Sequence, residues 1–161
     1  MFRGWPLLVI ALAGFIACNR STEPTPVEAP VAPPTQSDSF SGVIFQNGNF
    51  QYQFKVSVSG QVLITLRSVA TVAVDADPNA VPPVVAKPSV PVTYPLNVRI
   101  GQSTLTTLGL ACTNLKDVTT PAGTTPQLTG QALFGTFCVN VSDKDGTLPE
   151  PVNFTVNIAH P

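Results

Sequence analysis

Charge is scarce in this 161-residue chain: 11% of its residues are Asp, Glu, Lys or Arg, where a soluble domain ordinarily carries about a quarter. Eight basic side chains nearly balance nine acidic ones, for a formal net charge of −1. With no basic cluster, nucleic acid is not an expected partner. Histidine, methionine and tryptophan occur once each. The only histidine, His160, lies far in sequence from the three cysteines, so a zinc site is not expected. No apolar run approaches the roughly 20 residues that a membrane-spanning helix needs.

What the chain does have is proline (17 residues), many threonines, and 43% apolar residues. Its first segment combines Arg3, an apolar stretch from Pro6 to Ala17, and then Cys18. A positive start followed by a short apolar run is the pattern of a secretory signal. The sequence Phe15-Ile16-Ala17-Cys18 resembles a bacterial lipobox, with Phe15 where leucine is usual. That resemblance implies cleavage before Cys18, so that 1–17 is a lipoprotein signal peptide and Cys18 the lipidated first residue. Two or more acyl chains make a stable anchor, which one chain does not. An ordinary secretory signal followed by a coincidental cysteine is the alternative. Residues 18–38 contain Pro24, Pro26, Pro30, Pro33 and Pro34 and no aromatic residue. Such a segment buries too little apolar surface to offset its chain entropy, so a disordered proline-rich tether is expected there.

From Ser39 onward, apolar residues alternate with polar ones between turn signals, so 39–161 is read as one domain. Phe50, Tyr52, Phe54, Val56 and Val58 form one period-two set, the mark of a half-buried strand. Asn47-Gly48 just before it is the dipeptide favoured by a type I′ hairpin turn. Val62, Ile64 and Leu66 alternate next, then Tyr94, Leu96, Val98 and Ile100. Phe137, Val139 and Val141 share one face, as do Val152, Phe154, Val156 and Ile158. The proline-rich stretch 70–95 reads as a surface excursion with at most a short edge strand. Residues 103–112 are ambiguous, their threonines favouring a strand, and 116–130 reads as loop. Seven or eight short strands separated by turns predict an all-β, antiparallel sandwich.

Cys112 and Cys138 remain in the domain. In an exported protein they are expected to form a disulfide, two buried free thiols being the alternative. Cys138 has the opposite parity to Phe137 and Val139 and should point off the core face.

The stretches FSGVI, NGNFQYQFKVSVSGQVLITL and GTFCVNVSDKDG…PVNFTVNIAHP resemble the opening and closing motifs of bacterial pre-peptidase C-terminal domains. The likeness covers roughly 39–161, with Phe137 where tyrosine is usual and a weak middle. It implies a β-sandwich of jelly-roll type whose closing motifs form a hairpin. It also implies an accessory, non-catalytic role, with calcium or extracellular polymers bound by some relatives.

No catalytic centre is expected, because no nucleophile–base pair or facing carboxylates emerge. Calcium is the one cofactor considered, with Asp75, Asp77, Asn79, Asp143 and Asp145 as weak ligand candidates. The first set lacks the glycine and the bidentate glutamate of a calcium loop, and turn chemistry accounts for both sets. The expected function is a non-catalytic binding or adhesion module, held by lipid on Cys18 to the extracytoplasmic side of a cell-envelope membrane. Its partner would be an envelope or extracellular protein or a polysaccharide. Phe45 and Tyr94 are the candidates for an exposed aromatic platform. A structural or assembly lipoprotein that contacts another envelope protein, or a secreted domain without lipid, is the alternative.

Overall fold

The computed structural model describes residues 33–106 and 109–161. The expected signal peptide, Cys18 and most of the expected tether lie outside the described residues. Eight strands follow in order: β1 (Gln36–Ile44), β2 (Asn49–Val56), β3 (Gly60–Thr71), β4 (Leu96–Thr106), β5 (Gly109–Thr120), β6 (Leu128–Ala132), β7 (Gly135–Ser142) and β8 (Val152–His160). They form two four-stranded antiparallel sheets, ordered β1-β8-β3-β6 and β2-β7-β4-β5. The fold is therefore an all-β, two-sheet sandwich. β1 begins ahead of Ser39, where the change in composition placed the start of the domain.

The period-two pattern builds the core. In β8, Val152, Phe154, Val156, Ile158 and His160 are all buried and alternate with half-exposed residues. Phe54, Val56, Ile64, Leu66, Val98, Phe137 and Val139 join them between the sheets. Tyr52 is only partly buried, but its ring stacks on Phe40 at 4.6 Å between centroids. Phe154 meets Phe40 and Phe50 edge-on, at 6.0 and 5.6 Å. Offset and edge-to-face arrangements suit the quadrupoles of these rings.

Several expectations need correction. Val58 continues the alternation of β2 in sequence, but the strand ends at Val56 and Val58 is exposed. Asn47-Gly48 does not close a hairpin, because β1 and β2 lie in different sheets. The turn spans Phe45 to Gly48, whose N–H donates to the Phe45 carbonyl at 2.8 Å. Of its central residues only Asn47 has positive φ, at 57°, whereas a type I′ turn needs two. The turn instead carries the chain from one sheet to the other. β7 and β8 also belong to different sheets, so the closing motifs face each other across the core rather than forming a hairpin. Of the successive strands, only β4 and β5 share a sheet.

Most of the segment 116–130 is not loop. β5 continues to Thr120 and β6 starts at the buried Leu128. The short connection between them lies along β3, where Gly123 N–H and Gln127 N–H donate to the carbonyls of Leu66 and Ile64. The ambiguous stretch 103–112 is strand at both ends, in the β4–β5 pair.

The disulfide Cys112–Cys138 is formed. Cys112 lies on β5 and Cys138 on β7, the strands that flank β4, and their Cα atoms are 5.9 Å apart. Gly101 of β4 pairs with Cys138 and makes the close approach possible. A Cβ there would overlap the Thr113 carbonyl and lie 2.8 Å from Cys112 Sγ. Cys138 does point away from the core, and it is fully buried nonetheless. Its pairing partner Gln53 donates from Nε2 to Ser103 Oγ at 2.9 Å on that face. For a sequence separation of 26, the chain-entropy account gives a stabilisation of about 3.5 kcal/mol.

The proline-rich excursion is a doubled arm. Antiparallel bridges join Ala70 to Pro91, Val74 to Lys87 and Asp77 to Val84. Its base is fixed by Ser89 Oγ donating to the Thr71 carbonyl and by an ion pair between Lys87 and Glu150. Every residue from 81 to 90 is exposed.

Candidate functional site

The strand registers define two ends. At the near end, Gln36 of β1 pairs with His160 of β8. At the far end, Ile44 pairs with Val152 and Asn49 with Ser142. The far end gathers the 45–48 turn, the β7–β8 connection and the base of the arm.

Asp143 organises this end. It is 4% exposed, and its carboxylate accepts four hydrogen bonds. Oδ2 takes the N–H groups of Asn47 (3.1 Å) and Leu148 (3.2 Å). Oδ1 takes the Thr147 N–H (3.0 Å) and hydroxyl (3.4 Å). Its own N–H donates to the Gly48 carbonyl. Burial alone would push the Asp143 carboxyl up, but the donors from Asn47, Leu148 and Thr147 outweigh it and hold it below its ordinary value. The connection turns at Gly146, whose φ is +64° and where a Cβ would overlap the Asn47 side chain. Gln46 Nε2 reaches across to the Gly146 carbonyl at 2.8 Å. Asp143 thus pins two chain segments together through orphan backbone donors, the role a carboxylate plays at a helix N-cap.

Beside it lies a polar recess of about 310 Å³, lined by Asn47, Asn49, Arg99, Asn140, Ser142 and Lys144 among others. Asn49, Asn140, Ser142 and Arg99 occupy outward-facing positions of β2, β7 and β4, the parity opposite to Phe50, Val141 and Val98, while Asn47 and Lys144 come from the 45–48 turn and the β7–β8 connection. Buried Asn97 backs the recess. Its amide nitrogen donates to Asp117 Oδ2 (3.0 Å) and Thr119 Oγ1 (3.2 Å), and its oxygen accepts from Arg99 Nε (2.6 Å). Asp117 is held below its ordinary value, first by the Asn97 hydrogen bond and then, against a desolvation penalty, by the positive charges of Lys144 and Arg99 and a bond from Asn114. The recess therefore presents two cations and several amides beside the hydrogen-bonded Asp143 carboxylate, a set that can bind hydroxyl groups or anions.

The remaining sequence candidates are spread over this end. Asp75, Asp77 and Asn79 lie on the exposed arm, where Asp77 Oδ1 accepts the Asn79 N–H at 2.9 Å in an Asx turn. Asp145 is exposed in the β7–β8 connection. Among the described residues, no three His, Cys, Asp or Glu side chains converge as a metal site would require. Phe45 is 61% exposed at this end, whereas Tyr94 is half-buried against the core, so the two do not form a platform. His160 is buried at the opposite end against Phe54, with ring centroids 5.2 Å apart.

The sequence shows the arm as an excursion but does not show its apolar surface. Val81 and Val85 are 99% and 83% exposed, and Val74, Val84 and Val90 are also exposed. The spacing of valines among prolines was the available signal. Arg99, Asn140 and Lys144 carry none, since polar residues on the outer face of a strand or in a turn look like any solvated surface. No helix among the described residues is long and apolar enough to cross a membrane. No protein-family model matches the chain, and a search of curated proteins finds no match.

Proposed function

We propose that this protein is a non-catalytic binding module of a bacterial cell envelope, anchored by lipid on Cys18, and that it works by contacting another envelope or extracellular protein through the arm. The observation that carries this reading is the arm itself: five exposed valines on a doubled segment that leaves the far end of the sandwich. Contiguous exposed apolar surface marks contact sites in soluble domains. The chain enters the fold at the near end, where Thr35 N–H donates to the His160 carbonyl at 3.0 Å. β8 spans nine residues, or about 30 Å at strand rise. An N-terminal anchor would therefore hold the arm on the side away from the membrane. The strand order supports a jelly-roll assignment, since β1-β8-β3-β6 facing β2-β7-β4-β5 is the arrangement of two interlocked Greek keys. That order is also what membership of the pre-peptidase C-terminal family implies.

The recess favours a second reading, an anionic envelope polysaccharide held by Arg99 and Lys144. One experiment separates the two. A photo-reactive phenylalanine analogue is placed at Val85, at Lys144 or, as a control, at exposed Ser41, and the full chain is irradiated in intact envelopes. The first reading expects a discrete protein adduct from position 85. A heterogeneous glycan-bearing adduct from position 144 alone favours the second. Yields at 85 and 144 no greater than at 41 refute both.

A further inference from the structure

The near end carries an apolar tip that the proposed function does not use. Two connections cross between the sheets there side by side, 57–59 from β2 to β3 and 133–134 from β6 to β7. The strands they join are paired, Val56 with Gly135 and Gly60 with Ala132. Phe134 N–H also donates to Ser59 Oγ at 3.3 Å. Val58, Leu133 and Phe134 project from these turns at 59%, 73% and 77% exposure. Turn tips ordinarily carry Gly, Asn, Asp or Ser. Three large apolar side chains on two adjoining tips form a small hydrophobic knob.

We propose that this tip docks into the surface of a lipid bilayer, the one that holds the protein's own anchor. The proposal rests on the lipid-anchor reading for its geometry. The chain preceding Gln36 leaves the sandwich at this same end, since Gln36 pairs with His160. Between Cys18 and Gln36, a fully extended chain reaches at most about 65 Å, so an acylated Cys18 keeps the tip close to the membrane. At that effective concentration, a contact too weak to bind a free domain becomes significant.

The described charges do not oppose this contact: the acids of the far end are joined there by Lys87, Arg99 and Lys144, and the near end is close to neutral. Asp75 and Asp77 lie on the arm, and Asp143, Asp145 and Glu150 lie in the β7–β8 connection, all at the far end. Asp117 pairs with Arg99, which pairs with Asn140 in the far half of β7. The near end holds Lys55, opposite Thr136. It also holds Asp38, whose Oδ2 faces His160 Nε2 at 3.6 Å. Anionic headgroups would therefore meet little opposing charge at the tip.

The test uses the protein purified from membranes after expression with Trp5→Phe and Phe134→Trp; cleavage before Cys18 removes position 5, and the Trp5→Phe change silences any uncut precursor. Trp5 is the only native tryptophan, so the new indole is the sole reporter. A matched chain with Trp5→Phe and Phe45→Trp reports on the far end. Both are reconstituted into phosphatidylethanolamine–phosphatidylglycerol vesicles containing brominated phosphatidylcholine. A ring seated roughly 5–10 Å into the headgroup–acyl boundary should be quenched about twofold at position 134, with position 45 unchanged. Equal quenching at the two positions, or none at 134, overturns the proposal. So does a blue shift at 134 without bromolipid quenching, which would assign the tip to a second copy or a partner protein. Intact mass of the same sample reads acylation of Cys18 independently: an unacylated chain refutes the anchor reading and with it a tip held beside its own anchor, whereas an acylated chain without quenching at 134 refutes the tip alone.

Discussion

Replacing Asp143 by alanine removes one side chain and leaves three backbone donors, those of Asn47, Thr147 and Leu148, without their acceptor. Each unsatisfied buried donor costs about 1–3 kcal/mol. The three share one carboxylate, so the losses do not add fully, and Thr147 is exposed and can recruit water. A total near 3 kcal/mol results. With a urea m-value of about 2 kcal/mol/M, the unfolding midpoint should fall by roughly 1.5 M. Asp143→Asn keeps one acceptor oxygen but turns an NH₂ towards donors, and should lose somewhat less. Asp145→Ala, two positions away and exposed, should stay within about 0.5 kcal/mol of wild type. The pH dependence follows from the depressed carboxyl. The charged form is favoured in the folded protein, so its stabilisation is complete above the unfolded value, which ordinarily lies at 3.8. It is lost as pH falls through the lower folded value. The gap between wild type and Asp143→Asn should therefore be level from neutrality down to about pH 5, then narrow below about pH 4. Urea melts of the three variants over that range measure this. An Asp143→Ala midpoint indistinguishable from that of Asp145→Ala would show that the pin is dispensable.

Two further outcomes are expected. Phe154, 1% exposed and in contact with two other rings, should cost about 3–5 kcal/mol on truncation to alanine, and a change inside about 0.5 kcal/mol in a chemical melt would contradict the core described here. Cys18→Ala should release the protein from membranes or leave its precursor uncut while the sandwich still folds, and high salt should release none of the wild type because hydrophobic anchoring is not screened; a soluble mature wild type that takes up no palmitate analogue in metabolic labelling would remove lipid from the account.

The strands were legible where one face meets the core and the other meets water. β8 is the clearest case, its pattern unbroken from Val152 to His160. Legibility failed where the period was interrupted or where partners are remote. In β3 the register shifts between Leu66 and Ser68, which turns Val69 inward and breaks the count begun at Val62. Val58 obeys the alternation and is exposed, because a side chain's parity does not say where the strand stops. Asn47-Gly48 was a sound turn signal, but the sequence around it did not say which sheet the next strand joins. Asp143 and Asp145 are equivalent letters in one turn. Only the arrival of Asn47 from another connection makes the first a buried acceptor and leaves the second in water. Arg99 of β4 meets Asn140 and Lys144 from the end of β7 and the connection after it, about 40 positions on, and no local pattern records that.

The place of β8 in its sheet has a bearing on how the chain assembles. β8 is the final strand, yet it lies between β1 and β3. Ser41 and Thr155, whose hydroxyls meet at 2.9 Å, are 114 positions apart in sequence. Pairings so distant close large loops before any contact rewards them, which slows folding. A chain emerging N-terminus first displays β1 unpaired and β3 paired only with β6, and this sheet closes only when β8 arrives between them. Until β8 arrives, that sheet stays divided between β1 and the β3–β6 pair, so the domain commits to its sandwich late in its synthesis.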